Sequence, residues 1–462
     1  MTLIRNARVF RSTATDVRWD DGNITECGTG LRPISGEDDI DARGGWLLPG
    51  LHDHHIHLRA LAARARSIPV GPAETPDADA FADRLRTAAR DLPPDGWLRG
   101  VGYHESVAGE LDRWSLDRML ETPAVRVQHR SGALWTLNSR ACRLLELDDC
   151  PLPGVERDHT GRAVGRLWRM DAWLGERLNA AKPDPAELSA WAAALGVTGF
   201  TDATPDLRQD EVDALAEDVA QGRILQRVHC MTPPGIVRPE SPRFTLGPTK
   251  FLLDDPTLPT LPELTDRFRV VHEAGKPVAV HCVTRIQLIV TIAALQDAGI
   301  RDGDRIEHGA IIPSESLEWL RTQGITVVTQ PHFPIERAEQ YARAVPAEDH
   351  PDLWRLGSLL AAGVPVAAGT DAPFGDADPW RVVRASTERT LFGTQERISA
   401  HEAVTLFLGH PDRPAVPRPI APGHAADLTL LRVPPQELPT ASTSPDLIAA
   451  TIIAGQPVHV PG

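Results

Sequence analysis

Pro49-Gly50-Leu51-His52-Asp53-His54-His55-Ile56-His57-Leu58 is the stretch that decides the fold. It reads as a β-strand that ends by presenting imidazoles. Side chains alternate along a strand, so Asp53, His55 and His57 share one face, and His52, His54 and Ile56 the other. Two neutral imidazoles side by side on a rigid strand can hold a divalent ion such as zinc. Such an ion makes a nucleophile of water near neutral pH. Alone the pair says little. With 17 histidines in 462 residues, about 0.6 His-x-His pairs arise by chance, the usual hazard of a short motif. Its weight depends on whether other strands bring matching ligands.

Outward from this run, short apolar strands alternate with helical segments. Strand candidates lie at 46–57, 196–203, 224–231, 249–254, 277–283, 305–311, 325–330 and 364–370. Helical patterns lie between them, for example 261–274, 286–298, 314–323 and 353–362. Several stop at a glycine before the next strand: Gly275, Gly299, Gly324 and Gly363. The alternation argues for parallel βαβ units. Eight such strands close naturally into a (β/α)8 TIM barrel of the α/β class.

The two ends of the chain look different. Residues 1–48 carry short strands and turns, including Asp20-Asp21-Gly22-Asn23. The stretches 427–431 and 450–454 are apolar strand candidates, preceded by a Pro-rich linker over 410–423 that could not continue a helix. Both ends are expected to pair in one small β-sandwich domain. The expected organisation is 1–48 for the N-terminal part of that domain and 49–95 for the start of the barrel. An insertion follows at 96–175, then the rest of the barrel at 176–410, and the linker and C-terminal part of the β domain at 411–462. The insertion follows the first barrel strand and carries Trp97, Tyr103, Trp114, Trp135, Trp168 and Trp173. It is expected either to overhang the barrel mouth and shape a substrate pocket, or to form a lobe whose tryptophans fill its own core.

Composition narrows the function. Hydrophobic residues make up 42% and charged residues 24%, ordinary for a globular chain. The net charge of −15 argues against nucleic acid or an anionic membrane as partner. Cys27, Cys142, Cys150, Cys230 and Cys282 are scattered, without a Cys-x-x-Cys. That favours reduced thiols in a cytoplasmic protein. No apolar run approaches the roughly 20 residues of a membrane helix, and the N-terminus has no signal-peptide core.

Catalytic groups in a barrel gather at the C-terminal ends of the strands. The first strand gives His55 and His57. The fourth, Thr249-Lys250-Phe251-Leu252-Leu253-Asp254, gives Lys250. The fifth gives His281, the sixth His308, and the eighth ends on Asp371. Five strand ends thus aim a metal-competent or modifiable group at one point, a far stronger signal than any single motif. Lys250 stands out, because an ammonium cannot ligate a cation and burying it unpaired is costly. Two readings are open: reaction of the amine with carbon dioxide to give a carbamate that bridges two metals, or an ion pair with Asp254 or Asp255. The rest of the set favours carboxylation.

These pieces resemble the amidohydrolase superfamily in its dinuclear form. The matching residues are Pro-Gly-Leu-His-Asp-His-His-Ile-His at 49–57, Lys250, His281, Arg-Ile-Glu-His308-Gly and Gly-Thr-Asp371-Ala-Pro, with Ala425-Ala426-Asp427-Leu428 in the terminal β domain. Within the superfamily the chain looks most like the branch that contains N-substituted formamide deformylase, through Trp97-Leu98-Arg99-Gly100-Val101-Gly102-Tyr103 and Leu134-Trp135-Thr136-Leu137-Asn138-Ser139. The resemblance covers essentially the whole chain. It implies that His55, His57 and Asp371 bind one metal, that His281 and His308 bind a second, and that carboxylated Lys250 bridges them. It also implies two divalent ions, zinc by default with manganese or iron also suited. A hydroxide between the metals would attack a polarised carbonyl, with Asp371 as general base and then acid. The chain departs from that branch at Ser131-Gly132-Ala133, where Asp-Gly-His is usual, so its substrate pocket is expected to differ.

The expected activity is metal-dependent hydrolysis of a C–N bond in a small amide, N-acyl amine or cyclic amide. No nucleic acid or membrane partner is expected, and a homodimer is compatible. Candidate substrate residues are Tyr103, His104, Glu105, Arg130, Trp135 and His332, with His129 beside them. Surface solvation or loop packing is the competing explanation for each polar member. Two alternatives keep the fold. In one, a single metal deaminates a heterocycle beside an unmodified Lys250. In the other, the chain is a non-catalytic scaffold, which an intact ligand set argues against.

Overall fold

The run expected as one strand over 46–57 is two strands, Trp46–Pro49 and Leu51–Ile56, separated at Gly50. The reason is a close approach: a Cβ on Gly50 would lie 2.1 Å from Thr198 Cγ2. Trp46–Pro49 pairs antiparallel with Leu428–Leu431. Leu51–Ile56 pairs parallel with Val197–Asp202. The computed structural model describes residues 1–93, 95–178, 183–440 and 445–460.

Parallel strands form two arcs. One runs in the order Phe244–Leu246, Arg227–Cys230, Val197–Asp202, Leu51–Ile56. The other runs Thr249–Phe251, Val278–Cys282, Arg305–His308, Thr326–Thr329, Val366–Ala368. Parallel neighbours need a crossover, and helices such as Gln209–Ala220, Leu261–Glu273 and Arg285–Ala298 supply it. The last of these shows how local sequence sets an element. Thr284 and Gln287 form a capping box at its start, and Gly299, at φ +87°, ends it. The arcs approach each other at both ends. The Asp371 amide donates to His55 O at 2.7 Å and the His57 amide to Ala372 O at 2.8 Å. At the other side only Gly247 and Pro248 separate Phe244–Leu246 from Thr249–Phe251.

Strands from both ends of the chain share one sheet: Arg8–Val9, Trp46–Pro49, Leu428–Leu431, Ile448–Ile453 and Gln456–His459. A second sheet holds Asn23–Gly28, Asp16–Asp20, Thr2–Arg5 and Asp38–Asp41. Trp19 is buried and donates from Nε1 to Gly455 O at 2.8 Å.

The chain divides into two compact units, Met1–Leu58 with Pro185–Gly462, and Arg59–Asp184. The second is built on a six-stranded sheet in which Ala124–His129 runs between Leu134–Leu137 and Trp97–Tyr103. Alternation splits that sheet's side chains between two apolar clusters. Ala124 packs with Trp135, Leu137, Cys142 and Leu167, and Val125 and Val127 pack with Phe81, Leu98, Tyr103 and Leu116. Among the described residues no helix is long and apolar enough to cross a membrane.

Candidate metal centre

The ends of the parallel strands bring a group of ionisable side chains together. His55 and His57 leave the strand Leu51–Ile56, and their rings lie 5.5 Å apart. Asp371, just past Val366–Ala368, places Oδ1 3.5 Å from His55 Nε2 and 3.3 Å from His57 Nε2. Lys250 Nζ is 3.4 Å from His55 Nε2. The His308 ring is 4.7 Å from that of His55 and 4.5 Å from that of His281, and its Nδ1 lies 3.9 Å from Asp371 Oδ2.

Backbone conformation makes this convergence possible. His308 and Asp371 both adopt left-handed backbone, at φ +68° and +53°. For side chains with a Cβ this costs on the order of 1–3 kcal/mol each and persists where the surroundings enforce it. It breaks strand alternation, so the consecutive residues Glu307 and His308 both reach His55. Gly369 does the same by size. A Cβ there would lie 2.5 Å from the His55 amide nitrogen, so only glycine lets the last strand lie against the first.

Glu307, whose role the alternation of the sequence hides, holds His55 in place. One carboxylate oxygen accepts from His55 Nδ1 and the other from Arg305 Nε at 2.5 Å, with all three residues buried. Burial pushes the Glu307 carboxyl up, but Arg305 and His55 outweigh it and hold the group below the usual range. The other rings are braced in a similar way: His308 Nδ1 lies 2.8 Å from Gln330 Oε1, and His57 Nδ1 3.4 Å from Thr204 Oγ1. Asp53 ties the first strand to the last, accepting from Thr370 Oγ1 at 2.5 Å and from the Thr370 and His55 amides at 3.0 and 3.1 Å.

The electrostatics suit a cation. Burial, reinforced by Lys250, takes His55 down to about 4, and burial takes His308 down to about 3. Both are neutral imidazoles near pH 7, the form that ligates metals. Asp371 is an anion: burial opposes its charge, but His57, His308 and His55 more than offset this and hold it below the usual range. Burial pushes the Lys250 ammonium down to about 8 against the pull of Glu307 and Asp371, so the neutral amine is populated near neutrality. The spacing fits an ion as well. Bonds of about 2.0–2.1 Å from a tetrahedral zinc place ligand atoms about 3.3 Å apart. The two imidazole–carboxylate separations are 3.3 and 3.5 Å, longer than the roughly 2.7–2.9 Å of a charge-assisted hydrogen bond.

Other candidates lie elsewhere. The His52 and His54 rings lie 4.6 Å apart, tilted by 35°, and His52 Nε2 is 2.9 Å from Thr201 Oγ1, apart from the imidazole–Asp371 trio. Of the two acids considered as partners for Lys250, Asp255 is taken up by Thr284 and Gln287. Cys282 is buried beside Thr291, and burial pushes its thiol up to about 12. His332 is buried against Phe333 and Gly375, and burial and Arg337 lower it to about 3 while Asp371 acts in the opposite sense. In the unit Arg59–Asp184, Tyr103 and Trp135 are interior residues. Tyr103 donates its hydroxyl to Gly109 O at 2.6 Å, and Trp135 donates Nε1 to Asp171 Oδ1 at 2.8 Å. His104 and His129 both face the Glu105 carboxylate, and the Arg130 amide donates to Tyr103 O at 2.8 Å.

The chain is similar to known proteins. Residues 38–459 match the model of a family described as the amidohydrolase family. N-substituted formamide deformylase from Arthrobacter pascens is 24% identical over 436 residues, covering 80% of this chain and 80% of that protein. Among solved structures, a metal-dependent hydrolase of uncharacterised function from Pyrococcus horikoshii aligns with a TM-score of 0.76 at 18% identity, covering 94% of this chain and 98% of the other. Atrazine chlorohydrolase from Arthrobacter aurescens, complexed with zinc, aligns at 0.56 and 15%, covering 99% and 95%.

Proposed function

The chain belongs to the amidohydrolase family, and from that premise we propose that it hydrolyses a C–N bond of a small amide, N-acyl amine or cyclic amide at a dinuclear metal centre. The observation that carries this is the trio of His55, His57 and Asp371, spaced like the corners of a metal tetrahedron with Lys250 beside it. The likeness to an N-substituted formamide deformylase supports N-acyl amines as the first substrates to try.

His55, His57 and Asp371 would hold the first ion, and His281 and His308 the second. When bound, the ions supply Lewis-acid activation of water and of the substrate carbonyl. Lys250 would bridge them as a carbamate: its neutral amine adds to carbon dioxide and loses a proton. The depressed ammonium supports this step. Glu307 fixes the His55 ring through Nδ1, which would leave Nε2 available to hold an ion. Asp371 accepts the proton of the attacking water and returns it to the leaving nitrogen. His332, within electrostatic reach of Asp371, would contribute to substrate binding.

The fold reading goes with this. The two parallel arcs would close as one (β/α)8 barrel, with Phe244–Leu246 and Thr249–Phe251 as parts of a single strand, and the two terminal sheets would form a β-sandwich. All five cysteines are free thiols, which suits a reducing cytoplasm.

The test is metal quantitation joined to an activity screen on N-acyl amines and cyclic amides. About two zinc or manganese ions per chain, with turnover, is expected. Lys250→Ala should lose metal and activity, and full retention of both would refute the dinuclear assignment. About one ion per chain with an unmodified Lys250 would move the reading to a mononuclear deaminase.

A further inference from the structure

A cavity of about 280 Å3 lies where the strands Leu51–Ile56, Val197–Asp202 and Arg227–Cys230 begin, at the opposite end of those strands from the metal ligands. Its wall takes His52, Gly199 and Arg227 from the strands, and Arg418 and Ile420 from the linker ahead of Leu428–Leu431. The volume is just under the roughly 300–1,000 Å3 of small-molecule pockets, so a small ligand fits. The wall carries one cation without an acid. Arg227 Nε meets Asp427 Oδ2 at 2.5 Å, and the other oxygen of Asp427 accepts from the Ala454 amide at 2.7 Å. That pair is closed. Arg243 gives its guanidinium to the carbonyls of Val219, Ile224 and Leu225. Arg418 donates to the carbonyls of Gly50 and, at 3.4 Å, Leu408, and it has no ion pair among the described residues. Burial lowers it to about 10 against the pull of Asp427, so it is a cation near neutrality. A guanidinium has five N–H donors in a fork that matches a carboxylate, and only two of its groups are engaged here.

His52 adds a neutral donor. The residue is 3% exposed, and burial with His54 holds its ring well below the usual range, so it is uncharged. Thr201 is fully buried, and His52 Nε2, at 2.9 Å, is the sole partner of its hydroxyl among the described residues. A buried hydroxyl is costly to leave without an acceptor. Thr201 therefore donates to Nε2, and the ring proton sits on Nδ1. That nitrogen has no partner among the described residues. It faces Gly199, where a Cβ would lie only 2.3 Å away, so glycine leaves room beside this N–H. Arg418 is within electrostatic reach of the same ring.

We propose that this cavity binds a small organic monocarboxylate, with its carboxylate between Arg418 and the Nδ1–H of His52 and its apolar body against Val228, Pro242 and Ile420. One uncompensated positive charge beside Asp427 suits a monoanion, whereas a phosphate dianion would leave a charge over. Arg418 also holds the Gly50 carbonyl, so the occupant is tied to the start of the strand that carries His55. The site is separate from the metal centre and does not depend on how many ions that centre holds.

The experiment is isothermal titration calorimetry of benzoate into the full-length protein in chloride-free buffer. One equivalent should bind, alike to wild type and to a His55→Asn/His57→Asn/Asp371→Asn variant that lacks the metal trio. Benzamide, the neutral isostere, should bind wild type about tenfold or more weakly, and benzoate should bind Arg418→Met about tenfold or more weakly, the usual effect of losing a hydrogen bond to a charged group. The proposal is overturned if a folded Arg418→Met variant, checked by circular dichroism, binds benzoate as wild type does. A wild-type Kd weaker than about 1 mM overturns it as well. Loss of binding in the triple variant would put benzoate on the metal centre and sink the separate site. Inorganic phosphate binding more tightly than benzoate would refute the choice of ligand. If Arg418→Met does not fold, Ile420→Trp, which fills the cavity from its linker wall, decides by the same tenfold criterion.

Discussion

Replacing Glu307 with glutamine separates two jobs done by one buried carboxylate. One oxygen orients His55 and the other neutralises Arg305, which is 2% exposed. Removing one partner of a buried ion pair typically costs about 3–5 kcal/mol, because the other charge stays buried without compensation. Losing the acceptor that orients a metal-binding imidazole typically lowers metal affinity about 10–100-fold, or about 1.4–2.7 kcal/mol. Glu307→Gln should therefore lose both, seen as a lower urea midpoint for metal-free protein and a weaker zinc affinity in a chelator competition. Arg305→Met/Glu307→Gln should recover most of the stability, since no buried charge is left over. It should not recover the affinity, since His55 still lacks its anionic acceptor. A Glu307→Gln protein with wild-type zinc affinity, or a double variant that regains it, would refute this division of labour.

Three further outcomes are expected. His229 is buried, and burial with Arg305 lowers it to about 3, against about 6.5 unfolded. The unfolded chain thus binds the extra proton, so stability is present above pH 6.5 and is lost as pH falls toward 3. That amounts to about 2 kcal/mol between pH 7 and 5, and His229→Gln should reduce the loss by that amount in urea titrations at the two pH values. Gly369→Ala would place a Cβ 2.5 Å from the His55 amide nitrogen and 2.6 Å from its Cβ. It should exceed the usual overpacking cost of about 1–3 kcal/mol and cut metal content, whereas Gly175→Ala, with nothing within 4 Å, should do neither. Trp135→Phe removes the indole donor to Asp171 and should cost about 1–3 kcal/mol, read from the thermal or urea midpoint.

The ligand candidates were legible because each is a polar residue closing an apolar run, and strand ends are where a parallel α/β fold gathers its chemistry. Glu307 was not, because strict alternation sends it away from His308. Only the left-handed backbone at His308 lets both face His55, and no residue type in Arg-Ile-Glu-His-Gly announces that conformation. The break at Gly50 was hidden for a related reason: it depends on Thr198, far away in sequence. The aromatic residues of the insertion showed that something was to be buried without showing where. Trp135 and Tyr103 lie in the interior of their own unit. Likewise, His104, Glu105 and His129 meet through the pairing of Trp97–Tyr103 with Ala124–His129, which their spacing in sequence does not disclose.

The break at Gly50 has a consequence for how the molecule is made. Trp46–Pro49, one residue ahead of the strand that carries His55, is held by Leu428–Leu431. Thr429 and Thr451 also bond to the backbone at Gly196 and Ala193, which leads into the neighbouring strand. These contacts are complete only after residue 451 has been synthesised, well after Asp371. During translation the His55 strand therefore lacks its root until Leu428–Leu431 and Ile448–Ile453 have been made.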